Sequence, residues 1–199
     1  DDQLSGNPQL DFVRKVANSV VEGSDDIQKA LAKSTASDVA YPKTGLAKNL
    51  EWISKLIKGN LNSKVYYTSL GGFDTHDNQL AIHKNKLTEL NDAVYSFYDD
   101  LKKSQQLQNV TIVVFSEFGR RVKDNGRGTD HGTAAPMFVI GGNNRGKIIG
   151  SNPNLSDLDN GDLKHEIDFR SVYASILENK FNFDSTKIGI RNKALEGLF

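Results

Sequence analysis

An α/β sandwich is the fold class this sequence predicts, and three observations predict it. Three apolar runs have strand character: SKVYYTSLGG (63–72), NVTIVVFSEFG (109–119) and APMFVIGG (135–142), rich in β-branched and aromatic residues. A long amphipathic stretch, QLAIHKNKLTELNDAVYSFYDDLKKS, lies between the first two. TIVVF is continuously apolar, as an inner parallel strand covered on both faces should be. Strand, long helix, strand is a βα unit.

Residues 1–60 read as helices. In LDFVRKVANSVV, Leu10, Val13, Val16, Ala17 and Val20 share one face, the period of a surface helix with a buried stripe. SDDIQKALAK reads as a second helix, with Ser24 as N-cap and acidic residues in its first turn. TASDVAYPKTG is a connector, and GLAKNLEWISKLIKG a helix that stops at Gly59. In the long helix, Ile82, Leu87, Leu90, Val94, Phe97 and Leu101 trace the apolar side. From KIIG onward the chain is loop-rich, ending in the helix DFRSVYASILEN and a weakly patterned tail. The expected organisation is one domain over 1–199: a helical lead-in (1–60), an α/β core (61–180) and a tail (181–199).

Bulk properties narrow the function. With 25 basic and 25 acidic residues there is no global field to recruit nucleic acid or an anionic membrane. No run approaches the roughly 20 apolar residues of a membrane span. Cysteine is absent, which removes disulfides, thiolate metal sites and cysteine nucleophiles. The chain starts at Asp1 and its one methionine is Met137, so the expectation is a processed product or an excised piece. GxGxxG, GxxxxGK[ST] and GxSxG are all missing.

The polar residues that could carry chemistry gather in three segments beside the predicted strands. GGFDTH offers Asp74 and His76 two apart, on one side of an extended segment. They suit a divalent ion such as Zn²⁺; the alternative is that Asp74 caps a turn while His76 packs or meets solvent. In FSEFGRR, Glu117 is a candidate ligand or proton acceptor, and Arg120 a planar fork of donors for an oxyanion. An internal Glu117–Arg120 or Glu117–Arg121 pair is the competing account. NGRGTDHG delivers Asp130 and His131, where Asp130 could orient His131 as carboxylates do behind metal-bound imidazoles. Gly126 and Gly128 suggest a loop that closes over a ligand. His83 reads as solvated, His165 as a surface or capping residue, and Arg170 as a partner in an ion pair. Oxygen and nitrogen donors without sulfur leave Zn²⁺, Mn²⁺ and Mg²⁺ open.

GGFDTH, the long helix, SEFGRR, GTDHGTAAPMFVIGG, GKIIG and DFRSVYASIL, in that order over about residues 45 to 180, closely resemble the bacterial domain-of-unknown-function family 1501. The resemblance implies membership of the alkaline phosphatase and sulfatase superfamily. It further implies a three-layer α/β/α sandwich, hydrolysis of phosphate or sulfate esters with divalent metals, and export to the periplasm. This chain resembles the C-terminal portion of longer members, so the partner implied is the N-terminal half of the same protein. That half carries the nucleophile and an early metal-binding aspartate, and the isolated chain is therefore expected to be inactive.

Carried over by position, Asp74 resembles the aspartate that ligates one metal. The superfamily histidine usually falls four residues later, where Asn78 stands here, and His76 would take its place. His131, followed by a proline-containing strand into glycine, resembles the late histidine of the same metal; the alternative makes DHG the second metal's Asp-His pair. SEFGR occupies that pair's position, so either Glu117 substitutes for it or the second site is lost. Arg120 would steady the anionic group, and Ser116 is a local alternative nucleophile. The rival is a non-enzymatic binding or scaffolding domain with a degenerate metal site.

Overall fold

The computed structural model describes residues 6–144 and 146–199; the first five residues of the lead-in and Arg145 lie outside it. The architecture is mixed α/β, with four α-helices and three small antiparallel sheets among the described residues. The chain divides into two compact units, Asp1–Leu70 with Glu89–Gln106, and Gly71–Thr88 with Leu107–Phe199. No helix among the described residues is long and apolar enough to cross a membrane.

The first unit is helical. Helix α1 (Pro8–Lys33) starts where Asn7 accepts hydrogen bonds from the amides of Gln9 and Leu10, with Pro8 in the first turn, where its missing N–H costs nothing. It runs unbroken through Gly23 and Ser24, so the two helices expected here are one and Ser24 is not an N-cap. A lone helical glycine costs only about 1 kcal/mol relative to alanine, too little to end the hydrogen-bond ladder. The stripe expected to be buried is also exposed: Leu10, Val13, Val16 and Val20 all lie open, and Ala30 is the helix's buried residue.

Helix α2 (Gly45–Lys58) is capped by Thr44, whose hydroxyl accepts from the Ala47 amide, and ends at Gly59. A Cβ at Gly59 would overlap the Ala30 carbonyl, so glycine is required for the end of α2 to approach α1. Leu46, Ala47 and Leu50 of α2, with Ala93, Phe97 and Leu101 of α3 (Gln79–Lys103), are buried apolar residues of this unit. Asp100 is buried among them and accepts from Ser54 Oγ (2.6 Å), Tyr41 OH (3.0 Å) and Lys58 Nζ (3.0 Å). Residues 64–70, from the run 63–72 expected to form a strand, join no ladder among the described residues, and Tyr67 is 78% exposed. A strand is defined by its partner, and none pairs with this run among the described residues.

In the second unit, β1 (Thr111–Val114) pairs antiparallel with β4 (Phe138–Gly141), Ile112 opposite Ile140. The expected inner parallel strand is thus a half-buried antiparallel one. The segments read as turn and loop form a hairpin instead, β2 (Gly119–Asp124) with β3 (Thr129–Gly132). Glycines face each other at its base, Gly119 opposite Gly132. A Cβ at Gly119 would strike the Ala134 carbonyl, and one at Gly132 the Asp162 carboxylate. That carboxylate accepts from the Thr133 amide at 2.8 Å. A two-residue Asn160–Gly161 turn, both at positive φ, joins β5 (Leu158–Asp159) to β6 (Asp162–Leu163). Helix α4 (Phe169–Phe181) is capped by Asp168, which also pairs with Arg170.

Candidate metal centre

The site is built from two segments of the second unit, the irregular stretch Gly71–Asn78 and strand β3. Thr75 is buried while Asp74 and His76 on either side are exposed. Its turn is closed locally by the Thr75 amide donating to the Phe73 carbonyl at 2.9 Å. Gly72 sits at φ +95°, a conformation that favours glycine. Asp77 accepts from the Asn78 amide at 2.7 Å just before α3 begins. On the other side, Asn125 Oδ1 accepts from the amides of Arg127 and Gly128, folding the β2–β3 loop back so that Asp130 and His131 reach the Asp74 segment.

Asp74 is the hub. Its Oδ1 lies 2.7 Å from His131 Nε2 and 3.1 Å from His76 Nε2, and one donor atom from each of the three residues falls within 4.8 Å of the others. All three side chains are open to solvent, Asp74 at 65%. The hydrogen bond from His131 holds the Asp74 carboxyl below its ordinary range, with the charges of both imidazoles adding to it. The His76 and His131 rings stack at 5.1 Å, and Phe118 lies nearly parallel to His131 at 3.9 Å.

The donor set suits a divalent ion. Zinc with ligands about 2.0–2.1 Å away and tetrahedral angles has ligand–ligand edges of about 3.3 Å. The Asp74–His131 and Asp74–His76 spacings, 2.7 and 3.1 Å, are shorter than that edge, and the three donors all lie within 4.8 Å of one another. The exposure also leaves coordination positions for water or substrate, as a catalytic site requires and a closed structural site does not.

The structure therefore brings together Asp74, His76 and His131. Asp130 faces His76 rather than the expected His131, with Oδ1 3.4 Å from His76 Nδ1. Glu117 is exposed and makes no hydrogen bond or ion pair among the described residues, so neither competing pair with Arg120 or Arg121 forms. Arg121 donates to the Asn160 carbonyl instead. Arg120 is engaged inside the protein: it donates to the carbonyls of Thr129 (2.6 Å) and Phe73, and its Cζ lies 5.1 Å from the Phe118 ring.

Sequence reasoning missed His83, Thr75 and Phe118. His83 is not simply solvated; its Nε2 lies 2.9 Å from Thr75 Oγ1 and 3.2 Å from the Phe73 carbonyl. Its position seven residues after His76, across the start of a helix, was the available signal.

Residues 62–187, more than half of the chain, match the model of a family described as "Protein of unknown function (DUF1501)". The chain belongs to that family, and the matched span contains every residue of the centre. No curated protein and no solved structure matches it.

Proposed function

We propose that Asp74, His76 and His131 bind one divalent cation, with Zn²⁺ the first choice and Mn²⁺ or Mg²⁺ next. The centre would belong to an exported phosphate- or sulfate-ester hydrolase of the alkaline phosphatase and sulfatase superfamily, with β1 and β4 as parts of its three-layer sandwich. The observation that carries this reading is the convergence of the three exposed donors within 4.8 Å of one another. Superfamily membership rests on the sequence resemblance.

A bound divalent ion would polarise an ester oxygen and lower the pKa of a coordinated hydroxyl or water. Asp74 would supply the anionic ligand, a carboxylate that is ionised at neutral pH in any case and is held lower still by His131. His76 would be oriented by Asp130 from behind, as ligating imidazoles commonly are. Glu117, exposed and unpaired among the described residues, would take a proton or add a further ligand. The nucleophile would come from the preceding half of the protein.

Calorimetric titration with Zn²⁺ and Mn²⁺, beside a panel of aryl phosphates and sulfates, tests this. One ion per chain should bind, and binding should vanish in Asp74→Asn; a wild-type chain that takes up no ion would end the proposal. The isolated chain should not turn over esters, and metal-dependent turnover would overturn that part alone.

A binding or scaffolding domain is the second reading. It is favoured by the single three-ligand group found among the described residues, where the superfamily uses two metals. Under it, ions bind the full-length protein but no ester is hydrolysed.

A further inference from the structure

The ligands come from two segments, so the centre exists only while Phe73–His76 and Thr129–His131 are held at a fixed separation. Besides the contacts of the ligands with one another and the His76–Asp130 contact at 3.4 Å, several contacts among the described residues bridge these segments or their immediate flanks. Arg127 pairs with Asp77 at 2.9 Å, but both side chains are more than half exposed, where such pairs contribute little. Thr129 Oγ1 donates to Gln79 Oε1 at 3.0 Å, a single neutral bond. The others come from one guanidinium: Arg120 donates to the Thr129 carbonyl and to the Phe73 carbonyl, with a longer contact to Thr75 Oγ1.

Phe73 immediately precedes Asp74, and Thr129 stands two residues before His131. We infer that Arg120 is the positioning residue of this centre, clamping both ligand-bearing segments through their backbone. The inference rests on the metal-binding reading given above.

Three features make the clamp specific. The fork of a guanidinium is planar and presents donors in fixed directions, so one side chain sets the spacing of two carbonyls; an ammonium is a point charge on a flexible stem. The Phe73 carbonyl also accepts from the Thr75 amide and lies within reach of His83 Nε2, while Thr75 Oγ1 is shared between His83 and Arg120 NH2 (3.4 Å). The turn carrying Asp74 and His76 is therefore held from beneath by Arg120 and His83 together. Finally, Arg120 lies opposite His131 in the β2–β3 register and contacts Phe118, the ring stacked on His131. The spacing of the ligands and the plane of one imidazole thus depend on the same short stretch, Phe118–Arg120.

The test is a Co²⁺ titration followed by visible absorption. It compares wild type, Arg120→Lys, Arg120→Met and the control Arg127→Ala, each checked by thermal unfolding. Ring resonances of His76 and His131 are recorded in the metal-free proteins. Both Arg120 variants should bind Co²⁺ about 10–100-fold more weakly, the usual loss when support behind a ligand is removed. Their His76 and His131 resonances should move before any metal is added. Arg127→Ala should stay within about threefold of wild type.

Should the Arg120 variants fail to fold, Thr75→Val removes the hydroxyl shared by Arg120 and His83 and should shift the same resonances. Arg120→Lys with wild-type affinity and unmoved His76 and His131 resonances would overturn the clamp, as would unmoved resonances in Thr75→Val. A wild-type chain without Co²⁺ uptake would instead overturn the metal reading, and the resonances alone would then decide whether Arg120 organises the cluster.

Discussion

Each unit of the molecule has a carboxylate with several partners, and the two could hardly be used more differently. Asp100 in the first unit and its partner Lys58 are almost fully buried, their side chains 4% and 3% exposed. Burial by itself would raise the Asp100 carboxyl, but bonds from Ser54, Lys58, Ser37 and Tyr41 together bring it below its usual value. The Tyr41 phenol, buried beside that charge, is driven well above its own. Asp74 in the second unit has two imidazoles for partners and stands in water. Asp100 is saturated and inaccessible, a device for holding helices. Asp74 keeps oxygen lone pairs and solvent on its open side, which is what a ligand needs. Carboxylate and cation in contact do not make a site; accessibility and unfilled coordination do.

The largest expected break in this contrast is Asp100→Asn, which keeps the shape but leaves the Lys58 ammonium buried without its counter-charge. Loss of one partner from a buried pair costs about 3–5 kcal/mol, read as a shifted urea midpoint at neutral pH. A loss below about 1 kcal/mol would mean that Asp100 behaves as a surface group.

Next comes Asp74→Asn, expected to leave stability within about 0.5 kcal/mol. It should weaken Zn²⁺ binding by more than about 100-fold, beyond the losses typical of supporting residues. If it instead lowered the melting temperature as Asp100→Asn does, the site would be structural.

Acid sharpens the contrast further. Both carboxyls are held low in the folded protein, so the stability they contribute is fully present above the unfolded carboxyl pKa near 3.9 and is lost as pH falls through their lower folded values. Acid unfolding of Asp100→Asn should have a flatter limb below about pH 4 than wild type. The limb of Asp74→Asn should follow wild type, because solvent screens an exposed group. The smallest effect is that of Glu117→Gln, expected to leave unfolding within about 0.5 kcal/mol. Under the hydrolase reading proposed above, the same change in the full-length protein should depress ester turnover, and unchanged turnover would remove Glu117 from that proposal.

What could be read in the sequence was local. Helix α2 was legible through its apolar period and its stop at Gly59, while the caps Thr44 and Asp168, each satisfied within a few residues of itself, were legible too and passed over. Asp74, His76 and His131 stood out for their chemistry beside glycines, but their meeting point spans up to 57 residues of sequence, which no periodicity encodes. The pairing of Asp130 with His76 is hidden for the same reason. The run 64–70 shows the limit from the other side: β-propensity describes a surface that fits a sheet, not the presence of a neighbour. In α1 a local signal misled, since a glycine before Ser24 resembles a helix start yet is too weak a penalty to impose one. The Asn160–Gly161 turn was legible and passed over.

The opposed glycines at the foot of the β2–β3 hairpin bear on how this family's members should be screened. Alanine at either one would drive a methyl group into the main chain at Ala134 or the Asp162 side chain, displacing the strand that carries His131. A library scored only on catalytic output would therefore rank Gly119 and Gly132 among the essential positions, although neither presents a functional group to any reactant. Scoring the same library for folded yield would separate them from Asp74 and His131, whose replacements should accumulate normally and, on the reading proposed above, lose only the bound ion.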